Sequence, residues 1–298
     1  MAPRATDLAA SPHRGRSDAS RVKAQLAKAR ATLETAGIPL PWLDAEILVA
    51  HVLQSSRERL HSHPEHELTV AQRAQLRRLT SRRVARVPVP YLVGEREFYG
   101  YMFRVTPAVL IPRPSSELLV ALAIDWLTAH PRARRMIDLG TGSGAVAISV
   151  AKAVPQVHIE ARDVSARALK VADENITHYR VRRRITTVKG DLLRRASPAD
   201  LIVANLPYIP EALRRNRPKE LEYEPALALD GGKDGLSLIR VALAQAPAVL
   251  KPGGLVLFEC DPAQIRRIVR LAQGHWPAAQ VTVHKDLAGQ DRVVRIQT

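Results

Sequence analysis

The 298-residue chain has one cysteine, Cys260, and it lacks any apolar run of about 18 residues. The single cysteine excludes an internal disulfide framework and a cysteine-rich zinc site, and it fits a reducing compartment. The missing apolar run excludes a membrane-spanning helix. The amino end lacks the apolar stretch of a secretory signal. Asp7 and Asp18 speak against a transit peptide, a class poor in acids. No internal repeat is evident. Positive charge, by contrast, is abundant: 45 Lys and Arg against 29 Asp and Glu give +16. That balance suits an anionic neighbour such as nucleic acid, and equally an arginine-rich route to solubility. Hydrophobic residues make up 46% and charged residues 25%, an ordinary globular balance. The length allows one large or two modest domains, so wholesale disorder is not expected.

Three regions differ in pattern. Residues 1–20 mix Pro, Ser, Gly, Arg and Asp without an apolar period and read as a disordered tail. Residues 21–87 read as a helical domain. Val22, Leu26, Ala29 and Leu33 recur at the spacing of one helix face. Gly37, Pro39 and Pro41 break the chain, and Asp44 is placed to cap a second helix carrying Ile47, Leu48 and Leu53. A third helix follows Thr69 and is crowded by Arg73, Arg77, Arg78, Arg82, Arg83 and Arg86. Those arginines make either a solvated basic face or a docking surface for an acidic partner or RNA phosphates. His61, His63 and His66 could suggest a metal site, but Pro64 breaks the helix such a pair would need, so the stretch reads as a polar interhelical loop with no metal.

Residues 88–112, with aromatic and β-branched residues at 91–93 and 98–105 around Gly94 and Gly100, read as a β-hairpin linker. Residues 113–298 then alternate apolar runs with helical stretches. Strands are expected at 136–139, 158–164, 185–189, 201–204 and 254–258, with helices at 145–154 and 166–176. This alternation predicts an α/β fold, a doubly wound and mostly parallel sheet.

The first of these βα units carries Gly140-Thr141-Gly142-Ser143-Gly144-Ala145. Glycine permits positive φ and lets a ligand approach the backbone, while a helix amino end offers free N–H groups. The spacing serves a dinucleotide or S-adenosylmethionine, or simply a strand-to-helix turn. An acid ending the next strand should hold ribose hydroxyls. Asp163 is favoured over Glu160, which lies inside the strand, because ligands bind at the carboxyl ends of such strands. Gly190-Asp191-Leu192 ends the third strand as an adenine wall or an ordinary turn.

The fourth strand ends in Asn205-Leu206-Pro207-Tyr208. A planar NH2 group needs two acceptors in its plane to fix its orientation. The Asn205 side-chain oxygen and the Leu206 carbonyl can supply them. Pro207 holds Leu206 extended, and Tyr208 offers a flat face to an amide or a base. With both hydrogens held, the nitrogen presents its π face to a methyl donor. Positioning of this kind is worth several kcal/mol, up to roughly 7–11 in favourable cases.

This combination resembles the S-adenosylmethionine-dependent amino-methyltransferases, and within them the glutamine-N5 methyltransferases of peptide chain release factors. Phe98-Tyr99-Gly100, Leu110 to Pro114 with Glu117-Leu118, and Tyr223-Glu224-Pro225 through Ala228 to Gly232 with Asp234 to Leu236 are similar to that family. So are Lys285 to Gly289 and Asp291-Arg292. The resemblance covers about residues 21–295. It implies a Rossmann-like methyltransferase sheet with a small helical amino-terminal domain that docks the protein substrate. It implies that Gly140, Thr141, Gly142, Ser143, Gly144, Asp163, Leu192 and Asn205 bind the cofactor. It implies that Asn205, Leu206, Pro207 and Tyr208 hold the substrate glutamine, with Asn205, Pro207 and Tyr208 as the catalytic group.

The implied substrate is the glutamine of the Gly-Gly-Gln loop in class I release factors, met by a monomeric cytoplasmic enzyme. Alternative substrates are a ribosomal-protein glutamine or an adenine of rRNA or DNA. The dispersal of the basic residues does not favour direct nucleic-acid binding. Four positions depart from the family pattern: Leu206 replaces a proline, Leu192 stands where an aromatic is common, Arg162 where the strand is apolar, and Glu259-Cys260-Asp261 where Glu-Ile-Gly is usual.

Overall fold

The computed structural model describes residues 18–298. The expected disordered tail lies outside the described residues for 1–17. Its last three residues, 18–20, are instead helical, because their backbone is captured: Gln25 Nε2 donates to Ala19 O at 2.6 Å and Leu68 N to Ser20 O at 2.9 Å. The chain forms two compact units that part between Val93 and Gly94.

The first unit is helical, with α1 at Val22–Thr35, α2 at Pro41–Leu53, α3 at Arg57–Ser62, α4 at Val70–Val84 and α5 at Val89–Val93. Thr69 caps α4 in a reciprocal capping box with Gln72, an arrangement that satisfies two otherwise orphaned N–H groups. Asp44 does not cap α2. The helix begins at Pro41, whose missing N–H costs nothing at a first turn, and Asp44 instead pairs with buried Arg83 at 2.7 Å. Arg86 is likewise turned inward, donating to Ala36 O at 3.0 Å. The exposed arginines of α4 are therefore Arg77, Arg78 and Arg82. His61 meets Glu46 at 3.0 Å.

The segment expected to be a hairpin linker divides. Residues 91–93 are helical, within α5. The hairpin is β1 at Glu95–Phe98 with β2 at Tyr101–Arg104, and it belongs to the second unit. The physical reason is its aromatics: Phe98 and Phe103 are fully buried and meet edge to face at 6.1 Å inside that unit's core. Each such ring adds on the order of 2–3 kcal/mol of burial, too much to leave on a free connector.

The second unit continues with α6 (Glu117–Ala129), β3 (Arg135–Leu139), α7 (Ala145–Ala153), β4 (His158–Asp163), α8 (Ala166–His178), β5 (Ile185–Lys189), β6 (Ala199–Ala204), α9 (Ser237–Gln245), β7 (Leu250–Glu259), α10 (Ile265–His275), β8 (Gln280–Lys285) and β9 (Asp291–Gln297). These strands form one seven-stranded sheet in the order β5-β4-β3-β6-β7-β9-β8. The first five are parallel, as the βα alternation predicts, and β8 and β9 join antiparallel at one edge. The sheet is therefore mixed, with an antiparallel pair that the sequence pattern did not reveal. Helices cover both faces, over two buried clusters, which is why the central strands read as unbroken apolar runs.

Register positions the site. Arg162, Leu139, Ala204 and Phe258 stand at one level on β4, β3, β6 and β7. One residue further on, β4 and β7 end at Asp163 and Glu259, while Gly140 and Asn205 lie just past the ends of β3 and β6. The chain thus leaves four adjacent strands together at the carboxyl edge, where ligands bind in such sheets.

Candidate active site

A cavity of about 290 Å³ opens at that edge. Gly140, Thr141, Gly142, Ser143, Asp163, Leu192, Asn205, Leu206 and Pro207 line it. Gly144 and Tyr208, both expected at the site, do not.

The loop after β3 is made largely of backbone. Gly140, Gly142 and Gly144 have φ of 75°, 54° and 79°, values that only glycine adopts without strain. Gly144 serves packing: a Cβ there would meet Ile148 Cδ1 at 3.3 Å and Ala172 Cβ at 3.4 Å. The loop is braced from below. Thr141 Oγ1 donates to Asp138 Oδ2 at 2.6 Å, and Gly142 N donates to Asp163 Oδ2 at 3.0 Å. Ser165 N donates to the other Asp163 oxygen at 2.8 Å. Burial pushes the Asp138 carboxyl up to about 6, against the pull of the Thr141 hydroxyl. Burial also raises Asp163, which backbone N–H groups oppose. Glu160 is turned away to pair with Arg162.

Arg162 accounts for its own presence in an apolar strand. It is buried, and beyond Glu160 it donates through Nε to Leu192 O and through Nη2 to Arg194 O, each at 2.8 Å. It clamps the loop that carries Leu192, which is held at a φ of 48°. Nothing in the spacing signals this clamp, because the partners lie about thirty residues on.

The opposite wall is built from side chains. Asn205 Nδ2 donates to Ser116 Oγ at 2.8 Å, which leaves Asn205 Oδ1 unengaged by that bond. Tyr208 packs against the second core cluster, and burial pushes its hydroxyl up to about 12. Its backbone is gripped closely: Gln264 Nε2 donates to Tyr208 O at 2.8 Å, and a Cβ at Gly235 would come within 2.3 Å of that same oxygen. Asp261, at the family's glycine position, accepts from Ala263 N at 2.9 Å and so caps the turn that presents Gln264.

Two further residues escaped sequence reasoning about roles. Glu224, almost fully buried, pairs with Arg113 and accepts from Ile111 N at 3.0 Å, tying two segments of the cavity wall together. Glu259, fully buried beside Asn205, accepts from Ser115 Oγ at 3.0 Å. Both lie in motifs that the family resemblance includes, but only contacts over more than a hundred residues disclose what they touch.

Residues 24–94 match the model of the PrmC N-terminal domain, and residues 115–216 that of the methyltransferase small domain. A release factor glutamine methyltransferase of Bordetella pertussis is 41% identical over 260 residues, covering 85% of this chain and 94% of that protein. Its counterpart from Moorella thermoacetica is 38% identical over 269 residues, covering 90% and 95%. The chain belongs to the release factor glutamine methyltransferases. The solved hMettl16 catalytic domain in complex with MAT2A 3'UTR hairpin 1 is 14% identical with a TM-score of 0.55, over 76% of this chain and 80% of that one; that likeness concerns the fold alone.

Within the family, S-adenosylmethionine is the methyl donor. The cavity fits it: one end offers a glycine turn with room for a ligand and the half-buried carboxylate of Asp163, the other a polar rim. A Cβ at Gly140 would press on Leu206 Cδ2 at 3.3 Å and Asn205 O at 3.5 Å, so the lack of a side chain lets the glycine loop lie close against the rim. Among the described residues, no group of three or more His, Cys, Asp or Glu could hold a metal, and no helix is long and apolar enough to cross a membrane.

Proposed function

We propose that this protein methylates the side-chain nitrogen, N5, of the glutamine in the Gly-Gly-Gln loop of class I peptide chain release factors. The observation that carries the reading is the Asn205 rim. The amide is tied to Ser116 through its nitrogen, so its oxygen is available to accept from a substrate carboxamide. Leu206 supplies a backbone carbonyl as the second acceptor; the proline usual at that position would supply no other group for this purpose, so leucine keeps the function. Tyr208, packed and gripped from behind, supports the rim.

S-adenosylmethionine supplies an electrophilic methyl group on a sulfonium centre. Gly140, Thr141, Gly142, Ser143, Asp163 and Leu192 are the residues proposed to hold it. Asp163 would accept from ribose hydroxyls as a charge-assisted partner, and Leu192 would flank the adenine. Gly144 acts through the loop's packing. Fixing both amide hydrogens in one plane turns the weakly nucleophilic nitrogen toward the donor, and the barrier falls by orientation rather than by a dedicated base. The nitrogen's proton leaves after transfer.

The helical unit is proposed as the docking module for the release factor, with exposed Arg77, Arg78 and Arg82 available to acidic surface. A protein substrate of translation carries with it a cytoplasmic location, and a monomer suffices for the reaction. Sequence similarity across nearly the whole length of release factor methyltransferases favours this substrate over a ribosomal protein or an adenine.

The test is the identity of the labelled product. Tritium from S-adenosylmethionine is expected in a recombinant release factor, and a Gln→Ala change in its Gly-Gly-Gln loop should abolish uptake. Label in rRNA instead would reject the reading.

A further inference from the structure

Basic side chains are scattered along the sequence, which by itself speaks against a nucleic-acid surface. The fold gathers some of them. β3, β4 and β5 are parallel neighbours, so their leading segments meet at the amino edge of the sheet, opposite the cavity. The junction is direct: His158 N donates to Arg134 O at 2.7 Å, and Ile159 N to Arg184 O at 2.8 Å. Three segments bring arginine or lysine to it: residues 132–135 ahead of β3, Lys152 near the end of α7, and the connection 180–184 between α8 and β5. Arg132, Arg134, Arg135, Lys152, Arg180 and Arg183 are exposed, and among the described residues none of their side chains has a carboxylate or hydrogen-bond partner. The other two arginines are engaged: Arg182 pairs with Asp173 at 3.2 Å, and Arg184 donates to Ala151 O. The acids alongside are engaged too. Glu174 pairs with Arg104 at 3.2 Å. Asp200 accepts from Arg134 N and Arg135 N at 3.0 and 2.9 Å and pairs with Lys251. Positive charge is thus left unneutralised along one edge. Lys152 and Arg180 lie at helix carboxyl ends, where a cation is favourable on its own account. Arg132, Arg134, Arg135 and Arg183 have no such local reason.

The rest of the surface tells which anion fits. Five of the six free cations are arginines, whose planar fork matches phosphate oxygens. None of the exposed large apolar residues among the described ones lies in residues 131–135, 152–158 or 177–184. The edge therefore lacks the apolar and aromatic centre that a protein interface uses. A phosphate backbone needs no such centre, because charge and hydrogen-bond donors suffice to hold it. We propose that the amino edge of β3, β4 and β5 binds the phosphate backbone of RNA, as an anchoring surface separate from the methyl-transfer site. The choice of RNA over DNA rests on the function proposed above, since a factor of translation works among RNA. β3 spans five residues, about 15 Å, so RNA held at this edge leaves the cavity at the other edge open.

The test measures binding of the full-length protein to a short RNA duplex by fluorescence anisotropy over a range of salt. Duplex DNA of the same length and poly-glutamate serve as rival ligands. The triple variant Arg132→Ala, Arg134→Ala, Arg183→Ala should weaken RNA binding about tenfold or more near physiological salt. It should also flatten the log–log salt dependence by about two to three. The triple variant Arg77→Ala, Arg78→Ala, Arg82→Ala removes the same charge from α4 and should change RNA affinity less than about threefold, a bound well below the loss of several phosphate contacts. Methylation of a release factor in the absence of RNA should keep its kcat and KM in the edge variant. Equal losses of RNA affinity in the two triple variants would overturn the proposal, because net charge alone would then explain binding. Tighter binding of DNA or of poly-glutamate than of RNA would overturn it as well, and assign the edge to DNA or to an acidic protein. The two readings fail separately. A labelled release factor with an RNA affinity indifferent to the edge variant overturns this surface alone, whereas no labelled release factor overturns the proposed function whichever way RNA binding comes out.

Discussion

The glycine loop after β3 and the rim after β6 stand side by side, one residue beyond the same level of the sheet, yet they are built by opposite means. The loop is mostly main chain: three positive-φ glycines, a helix amino end, and two carboxylates beneath that hold it without facing far into solvent. Its parts come from residues 138–144 and from the next strand. The rim is side chains: Asn205 is oriented from Ser116, eighty-nine residues away, and Glu259 holds Ser115 across 144. A backbone-built site tolerates many chemistries and so recurs across methyl and dinucleotide folds. A side-chain-built one fixes which atom reacts.

This contrast can be broken by experiment, most severely at the rim. Asn205→Ala should cut kcat by about a hundredfold or more, since it removes an acceptor used to orient the reacting nitrogen. Equilibrium binding of S-adenosylmethionine should remain measurable. Undiminished single-turnover rates would show that the rim does not orient the substrate. The loop should fail in the other parameter. Asp163→Ala should weaken S-adenosylmethionine binding about tenfold, ~1.4 kcal/mol, by calorimetry, while kcat at saturating cofactor changes less. An unchanged dissociation constant would remove Asp163 from the cofactor site.

The smallest effect sharpens the comparison through pH. The folded-state carboxyl of Asp138 ionises near 6 rather than its ordinary 3.8. Its ionised form therefore costs stability above about pH 6, and the cost is relieved as pH falls from there toward about 4. Asp138→Asn should stabilise the protein by about 1–2 kcal/mol at pH near 8 and lose that advantage near pH 4, read from denaturant unfolding. An equal difference at both pH values would show that no buried charge is involved.

Much of this was legible in the chain. The parallel strands, the loop glycines, Asp163 and the Asn-Leu-Pro-Tyr run follow from period and local spacing. The antiparallel edge did not: β8, Gln280–Lys285, mixes half-buried and exposed residues without strict alternation, a weak signal without its partner β9. The hairpin at Glu95–Phe98 and Tyr101–Arg104 was recognisable as a hairpin but not as core, because burial of Phe98 and Phe103 depends on which helices arrive above them. Asp44 misled in the same way: its expected role as a helix cap was displaced by Arg83, a partner far along the chain. Arg162, noted in the sequence only as out of place in an apolar strand, is explained by partners about thirty residues on.

Sequence alone determined what is local: the βα alternation that builds the sheet, the positive-φ glycine turn that leaves room for a ligand, and the Asn-Leu-Pro-Tyr segment that ends a strand. Tertiary structure decided everything set by partners distant in the chain: the clamp of Arg162 on the Leu192 loop, the tie of Glu224 to Arg113, and the orientation of Asn205 by Ser116. The physical reason is that backbone conformation answers to a residue and its neighbours, whereas the direction of a hydrogen bond answers to whatever group the fold brings opposite it.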